Sequence, residues 1–143
     1  MFEEIKAIQK TNEHTAEFIN ALMDSGEFEN ENEAFVLLRA TLKALRDRID
    51  PHEAMHLGAQ LPALLRGFYI EGYDFSQMDR PKSLSKDVSE FLGEVKKYLA
   101  GYDQLKLDTV VPEAMNVIFD FIDEGEVDHV LTHLPKEVQD FCH

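Results

Sequence analysis

Apolar residues recur every three or four positions along most of the chain, which is the spacing of one face of an α-helix. The clearest stripe lies in the first half and comprises Phe35, Leu38, Leu42, Leu45 and Ile49. Alternation of apolar and polar residues, the pattern typical of β-strands, does not persist beyond a few positions. The pattern therefore predicts an all-α protein.

Residues that favour helix ends divide this pattern into eight predicted helices, four in each half of the chain. Asn30 and Asp50 are each followed three residues later by Glu, which is the spacing of a capping box. Pro62 and Pro135 are expected at the first position of the last helix in each half. The predicted helices are 12–24, 31–48, 51–60 and 62–69 in the first half, and 85–99, 112–121, 124–132 and 135–142 in the second.

The two halves are similar in sequence when one is shifted by 73 residues onto the other. Over the 52 residue pairs that start with Glu17 and Glu90, 10 are identical, where chance would give roughly 3. We therefore expect two degenerate four-helix repeats, 1–73 and 85–143, joined by a linker at 74–84. Because a unit of this size buries little surface alone, the repeats are expected to pack as one pseudo-symmetric bundle.

Charge and composition narrow the classes of partner. The chain has 143 residues, of which 28 are acidic and 14 basic, for a formal charge of −14. Nucleic acid and anionic membranes are therefore not expected as partners, since both bind clustered Lys and Arg. Cys142 is the single cysteine, which excludes an intramolecular disulfide. The first residues lack the pattern of a secretory signal, and charges interrupt every apolar stretch, so we expect a cytoplasmic protein.

A recognisable series of residues runs through the first half. It comprises Leu38-Arg39-Ala40, Leu42, Leu45-Arg46, Arg48, Glu53-Ala54, Leu57, Ala59-Gln60-Leu61-Pro62, Leu64-Leu65-Arg66, Tyr69 and Glu71-Gly72. In this series the chain resembles the bacterial Domain of Unknown Function 2267 family, although Tyr73 stands where that family usually has Trp. The resemblance extends to a degenerate second copy and implies a small all-helical bacterial protein. It brings no assigned activity.

The segment His52-Glu53-Ala54-Met55-His56 matches H-E-x-x-H, in which two histidines one turn apart bind Zn²⁺ and Glu acts as general base. Here the motif lies at a predicted helix start, and its repeat copy has Gly125 in place of the first histidine. The family pattern includes Glu53 but not His52. We therefore predict no catalytic residue, no cofactor and no metal. A zinc-dependent hydrolase, or a metal held by His52 and His56, remains an alternative.

Basic and histidine side chains are the candidates for binding. The candidate partner- or anion-binding residues are Arg39, Lys43, Arg46, Arg66, His56 and His129. The first three share one face of the second helix and could bind an acidic segment or an anionic ligand. The alternative is a solvated face paired with nearby carboxylates. The two histidines occupy equivalent repeat positions, and local packing is the alternative to a functional pair.

These observations favour a non-enzymatic protein–protein interaction or adaptor module, for which a homodimer is one possible form. The motivating features are the helical repeats and the absence of a convincing catalytic motif in the sequence. The alternative is a carrier of a small molecule or lipid, with a pocket between the repeats. That pocket would be lined by Phe18, Phe68, Tyr69, Phe91 or Phe121.

Overall fold

The computed structural model describes residues 5–77, 87–99 and 101–142, and over these residues the regular structure is entirely helical. The helices are α1 (Lys6–Met23), α2 (Glu31–Arg48), α3 (Pro51–Ala59), α4 (Ala63–Ile70), α5 (Val88–Lys97), α6 (Leu107–Phe121), α7 (Glu124–Thr132) and α8 (Lys136–Phe141). A short 3₁₀ turn, Phe75–Gln77, follows α4. The predicted all-α fold is confirmed.

Helix α2 lies at the centre of the molecule, where it contacts α1, α3, α4, α5 and α6. The sequence pattern predicts a single buried face, but most of the circumference of α2 is buried, including the basic residues Lys43, Arg46 and Arg48. This happens because helices from both halves surround α2. Each buried cation is accommodated by partners: the Arg48 guanidinium donates Nε and Nη2 to the two Glu94 carboxylate oxygens of α5, both at 3.2 Å.

Two helices begin earlier than predicted. Helix α1 starts at Lys6 rather than at residue 12, and α6 starts at Leu107 rather than at 112. Pro112 therefore lies inside α6, where it cannot donate a backbone hydrogen bond. Val110 and Val111, in the segment predicted as a loop, are buried in the core, and this burial offsets the cost of the proline.

The last helix of each half begins one residue later than predicted. Pro62 and Pro135 are the N-cap residues of α4 and α8, not their first helical residues. A proline side chain cannot accept a hydrogen bond from the helix. At α4 the acceptor comes from elsewhere in the chain, since the Leu64 N–H donates to Thr11 Oγ1 of α1 at 2.8 Å.

The two predicted capping boxes form only in part. Asn30 and Asp50 act as N-caps, accepting from Glu33 N at 2.9 Å and His52 N at 2.8 Å. The Glu33 carboxylate accepts from Glu29 N rather than from Asn30 N. The Glu53 side chain does not return to its own helix start at all. It is buried against α7, where it becomes part of the candidate site described below.

Contacts between the halves are extensive, and one hydrophobic core contains residues from both. α1 packs on α6, α2 packs on α5 and α6, and α3 packs on α7. These are the pairs that a pseudo-twofold arrangement of the repeats would bring together, and the pseudo-symmetry itself stays a prediction. Most of the predicted linker, and the predicted start of the fifth helix at 85, lie outside the described residues.

Candidate functional site at the contact between α3 and α7

Helices α3 and α7 present the same short motif to each other. Each begins after an Asp N-cap, and each carries Glu-x-x-His: Glu53 and His56 on α3, Glu126 and His129 on α7. Residues three apart on a helix lie on the same face. The packing of α3 on α7 therefore brings the two motifs into one place.

A pair of buried carboxyl groups lies at the centre of the contact between α3 and α7. Glu53 and Glu126 are 8% and 7% exposed. Two of their oxygens, Glu53 Oε1 and Glu126 Oε2, have no hydrogen-bond partner. His129 Nδ1 lies 4.0 Å from Glu53 Oε1. One ligand atom from each of Glu53, Glu126 and His129 lies within 4.8 Å of the other two, and this is the group of side chains in the described chain close enough to share one ion.

Two carboxylates this close cannot both ionise without a cost. Burial and the Glu53 carboxylate, with a smaller contribution from Asp123, raise the pKa of Glu126 to about 8. At neutral pH the pair therefore retains a proton that the two carboxyl groups share, as in other paired carboxylates.

Glu126, one member of the carboxyl pair, lies in the wall of an open depression of about 350 Å³. Its lining residues are His56, Ala59, Gln60, Asp123, Gly125, Glu126 and His129. Gln60 Oε1 accepts from Asp123 N at 3.3 Å, which ties the end of α3 to the start of α7. His56 and His129 are exposed, so the structure brings both predicted histidines to the same opening.

Two of the predicted basic candidates, Arg46 and Arg66, bond to backbone carbonyls. Arg46 is 1% exposed, and its Nη1 donates to Tyr69 O at 2.6 Å and to Glu71 O at 2.7 Å. Arg66 Nε donates to Gly58 O at 2.8 Å, and its Nη2 donates to Leu61 O at 2.9 Å. Both guanidinium groups thus satisfy carbonyls at helix ends and join segments of the first half.

Lys43 and Arg39 are the other two basic candidates, and both lie on α2. Lys43 is buried and pairs with the Glu71 carboxylate at 3.1 Å. The Arg39 guanidinium lies over the rings of Phe35 and Phe68, at 5.3 and 5.9 Å from the ring centroids, and is half-buried. Lys43 and Arg46 are therefore buried rather than solvated, and Arg46 and Arg66 bond to backbone carbonyls. Arg39 keeps part of its charge accessible to a partner.

The H-E-x-x-H residues are not gathered around one point. His52 is exposed at the start of α3 and takes no part in the group formed by Glu53, Glu126 and His129. Glu53, the general base of such a motif, faces α7 instead. Glu71, an acidic residue that could add a third ligand to such a motif, is paired with Lys43.

The five aromatic residues predicted to line a carrier pocket also fall into separate places. Tyr69 is buried and donates its hydroxyl to Ala54 O at 2.6 Å, and Phe91 lies beneath Arg48. Phe18 and Phe121 do meet, with stacked rings whose centroids are 4.5 Å apart. They line an open groove of about 300 Å³ together with His14, Glu17, Gln60, Leu61 and Pro62.

The carboxyl pair is the feature that the sequence pattern does not predict. The 73-residue shift aligns Glu53 with Glu126 and His56 with His129. That alignment is a signal that two Glu-x-x-His motifs exist. It does not show that α3 and α7 pack against each other, because that contact is a property of the tertiary arrangement.

Fold and site together define an all-α protein with a paired Glu-x-x-His centre. The chain belongs to the family described as Uncharacterized conserved protein (DUF2267), whose model matches residues 15–141. No curated protein matches the chain. Within the described residues, none of the helices has both the length and the apolar composition that crossing a membrane requires.

Proposed function

We propose that this protein is a non-enzymatic protein–protein interaction module that binds a partner segment through the groove at Phe121. The observation that carries the proposal is the exposure of this ring: Phe121 is 40% exposed although it stacks on the buried Phe18. Binding sites are commonly concave and lined by apolar and aromatic side chains with a few polar groups, as this groove is.

The shape of the groove suits a protein side chain. Its apolar surface comes from Phe18, Phe121, Leu61 and Pro62, and its volume of about 300 Å³ is at the small end for ligand pockets. The groove is open rather than enclosed, which is a poor fit for a carrier that must shield its cargo. One apolar anchor from a partner would bury the exposed part of the Phe121 ring.

Charge indicates the kind of partner. The chain carries −14, and three of its basic residues, Lys43, Arg46 and Arg48, are buried, so they contribute little to its surface. Glu17 lies in the wall of the groove. A partner segment with an apolar residue flanked by Lys or Arg would therefore be complementary, and opposite charge would speed its association.

Matched phenylalanine variants test this proposal. Phe121→Ala removes the exposed ring from the groove, and Phe75→Ala removes a ring that is 55% exposed elsewhere, against Tyr73. We expect proteins captured from the host by the wild type to be retained by Phe75→Ala and lost by Phe121→Ala. The affinity of the captured partner should fall as ionic strength rises.

Sedimentation of the three proteins tests the homodimer form, which predicts a dimer that Phe121→Ala dissociates. Identical capture and identical sedimentation for all three proteins would contradict the proposal.

The accessible Arg39 is a second candidate contact. Arg39→Glu changes a partly accessible charge and is the suitable variant, because the same change at Arg46 would bury a carboxylate next to two carbonyls. Loss of the captured partner with Arg39→Glu would extend the interface to this face of α2.

A further inference from the structure

We infer that Glu53, Glu126 and His129 form a binding site for one divalent first-row transition metal ion, at the contact between α3 and α7. The inference is independent of the proposed interaction, which uses the groove at Phe121. It rests on the placement of the three side chains and on the chemistry of their unpaired atoms.

Proximity of acidic groups alone would not indicate a site. Here a second observation points to a ligand, because Glu53 Oε1 and Glu126 Oε2 are buried and accept no hydrogen bond from a donor group elsewhere in the described residues. Both residues are more than nine-tenths buried, with 8% and 7% exposure. Buried polar atoms without a partner are rare in native proteins, and a bound cation would satisfy both of these oxygens at once.

The donor set suits a transition metal better than Ca²⁺ or Mg²⁺. Two carboxylates and one imidazole are the ligands of many Zn²⁺, Mn²⁺ and Fe²⁺ sites, and Glu-x-x-His on a helix is a recurrent way to supply two of them. A divalent cation would also compensate both carboxylates, which have no basic side chain among the residues lining the depression other than His56 and His129.

The geometry requires a small adjustment. Ligand atoms on a tetrahedral Zn²⁺ are about 3.3 Å apart, given bonds of about 2.0 Å. The three candidate atoms lie within 4.8 Å of one another, and His129 Nδ1 lies 4.0 Å from Glu53 Oε1. His129 is exposed, so its ring can move toward the carboxylates. The depression provides an entry path, and water entering from it could supply a fourth ligand.

Metal titration of untagged full-length protein tests the site. The protein is stripped with a chelator, dialysed into metal-free buffer, and titrated with Zn²⁺ by calorimetry and with Co²⁺ by visible absorption. We expect one equivalent of each metal, a Co²⁺ spectrum with imidazole and carboxylate ligands, and a rise in Tm on Zn²⁺ addition.

Three variants assign the ligands. His129→Ala should weaken Zn²⁺ binding at least tenfold, and Glu126→Gln should abolish the Zn²⁺-induced rise in Tm. His52→Ala, which alters an exposed histidine outside the group, should leave binding at the wild-type level. Melting of each metal-free variant verifies its folding, and the exposure of His129 makes His129→Ala the least disruptive of the ligand variants.

Several results would overturn the inference. Absence of stoichiometric binding to the wild type would leave a shared proton as the occupant of the carboxyl pair. Equal binding by wild type, His129→Ala and Glu126→Gln would place the metal elsewhere. If His52→Ala lost binding while His129→Ala kept it, the metal would belong to the H-E-x-x-H pair.

Discussion

Arg46 lies on the central helix α2, and nearby groups compensate the charge of its guanidinium. Its guanidinium donates to two backbone carbonyls and to Asp47, and it lies within 5.4 and 5.7 Å of the ring centroids of Tyr73 and Tyr98. Removing it would leave those carbonyls buried without a donor. The sequence shows that a cationic residue is present at position 46. It does not show whether that residue binds a partner or stabilises the fold.

Arg46→Ala is therefore expected to lower the free energy of unfolding by about 3 kcal/mol. Arg39→Ala, on the same helix, should cost only about 1 kcal/mol, because its guanidinium is half-exposed over aromatic rings. Urea denaturation followed by circular dichroism measures both. Equal losses for the two variants would contradict the structural role assigned to Arg46.

The raised pKa of Glu126 predicts that the stability of the metal-free protein depends on pH. Its pKa in the folded state is raised from 4.5 to about 8 by burial and by the facing Glu53, with Asp123 adding to the effect and His129 close by. Below about pH 4.5 both the folded and the unfolded chain hold the proton. As the pH rises toward 8, the unfolded chain releases the proton first, so the free energy of unfolding should fall across this interval.

Glu126→Gln removes that titration and should flatten the decline in stability between pH 4.5 and 8. Asp128→Asn, which changes an exposed carboxylate on the same helix, is the control and should keep the wild-type profile. Denaturant unfolding at several pH values, with a chelator present, measures the free energy of unfolding of each protein. A wild-type profile that is flat, or that rises, over the interval would contradict the assignment.

At the scale of elements, α3 and α4 form a tightly packed pair. The Tyr69 hydroxyl of α4 bonds to Ala54 O of α3, and the Tyr69 ring lies close to Gly58. A Cβ built on Gly58 would come within 3.0 Å of Tyr69 Cε2, and the ring is fully buried and cannot move away. The glycine is therefore required by the close approach of the two helices.

Gly58→Ala is expected to lower the free energy of unfolding by about 1–2 kcal/mol, since the overpacking outweighs the gain in helix propensity. Gly67→Ala, in α4, is the matched control, because its Cβ would meet nothing within 4 Å. We expect Gly67→Ala to raise stability by about 0.5–1 kcal/mol. Thermal melting of the two variants measures whether stability falls in Gly58→Ala and rises in Gly67→Ala. A stabilised Gly58→Ala would refute the close packing.

Helix positions were predictable where local signals and packing agree. α2 and α7 have the predicted bounds, and both begin after an N-cap side chain that the sequence displays, Asn30 and Asp123. The early start of α6 follows from tertiary structure, because Val110 and Val111 are buried in the core. The predicted start of this helix at 112 reflects local propensity, which burial overrides. The added first residues of α1 are largely exposed, so burial does not account for its early start.

At the scale of the whole molecule, α2 belongs to the core of both halves. The bidentate pair between Arg48 and Glu94, and the hydrogen bond between Tyr98 and Asp47, connect α2 to α5 across the two repeats. We therefore expect one cooperative unfolding transition, with coincident curves from circular dichroism and tyrosine fluorescence. Two separated transitions would indicate that the repeats fold independently.

The candidate site could be predicted from the sequence only in part. Composition and periodicity give the helices, and the repeat gives equivalent Glu and His positions, but the carboxyl pair exists only because α3 crosses α7. The bonding of Arg46 and Arg66 to carbonyls of neighbouring segments likewise depends on tertiary structure and is not visible in the sequence. Phe121 is apolar in sequence and yet exposed, which periodicity alone does not reveal.

The most direct test of the interaction function is photo-cross-linking in host cells, with Phe121 replaced by photoreactive benzoylphenylalanine and the same replacement at Phe75 as the control. Both positions are exposed aromatic sites, at 40% and 55%, so the substitutions are matched in chemistry. The proposed groove predicts a discrete adduct from position 121, either with a partner or with a second copy of the chain, that position 75 does not give. No adduct from position 121, or the same adducts from both positions, would contradict it.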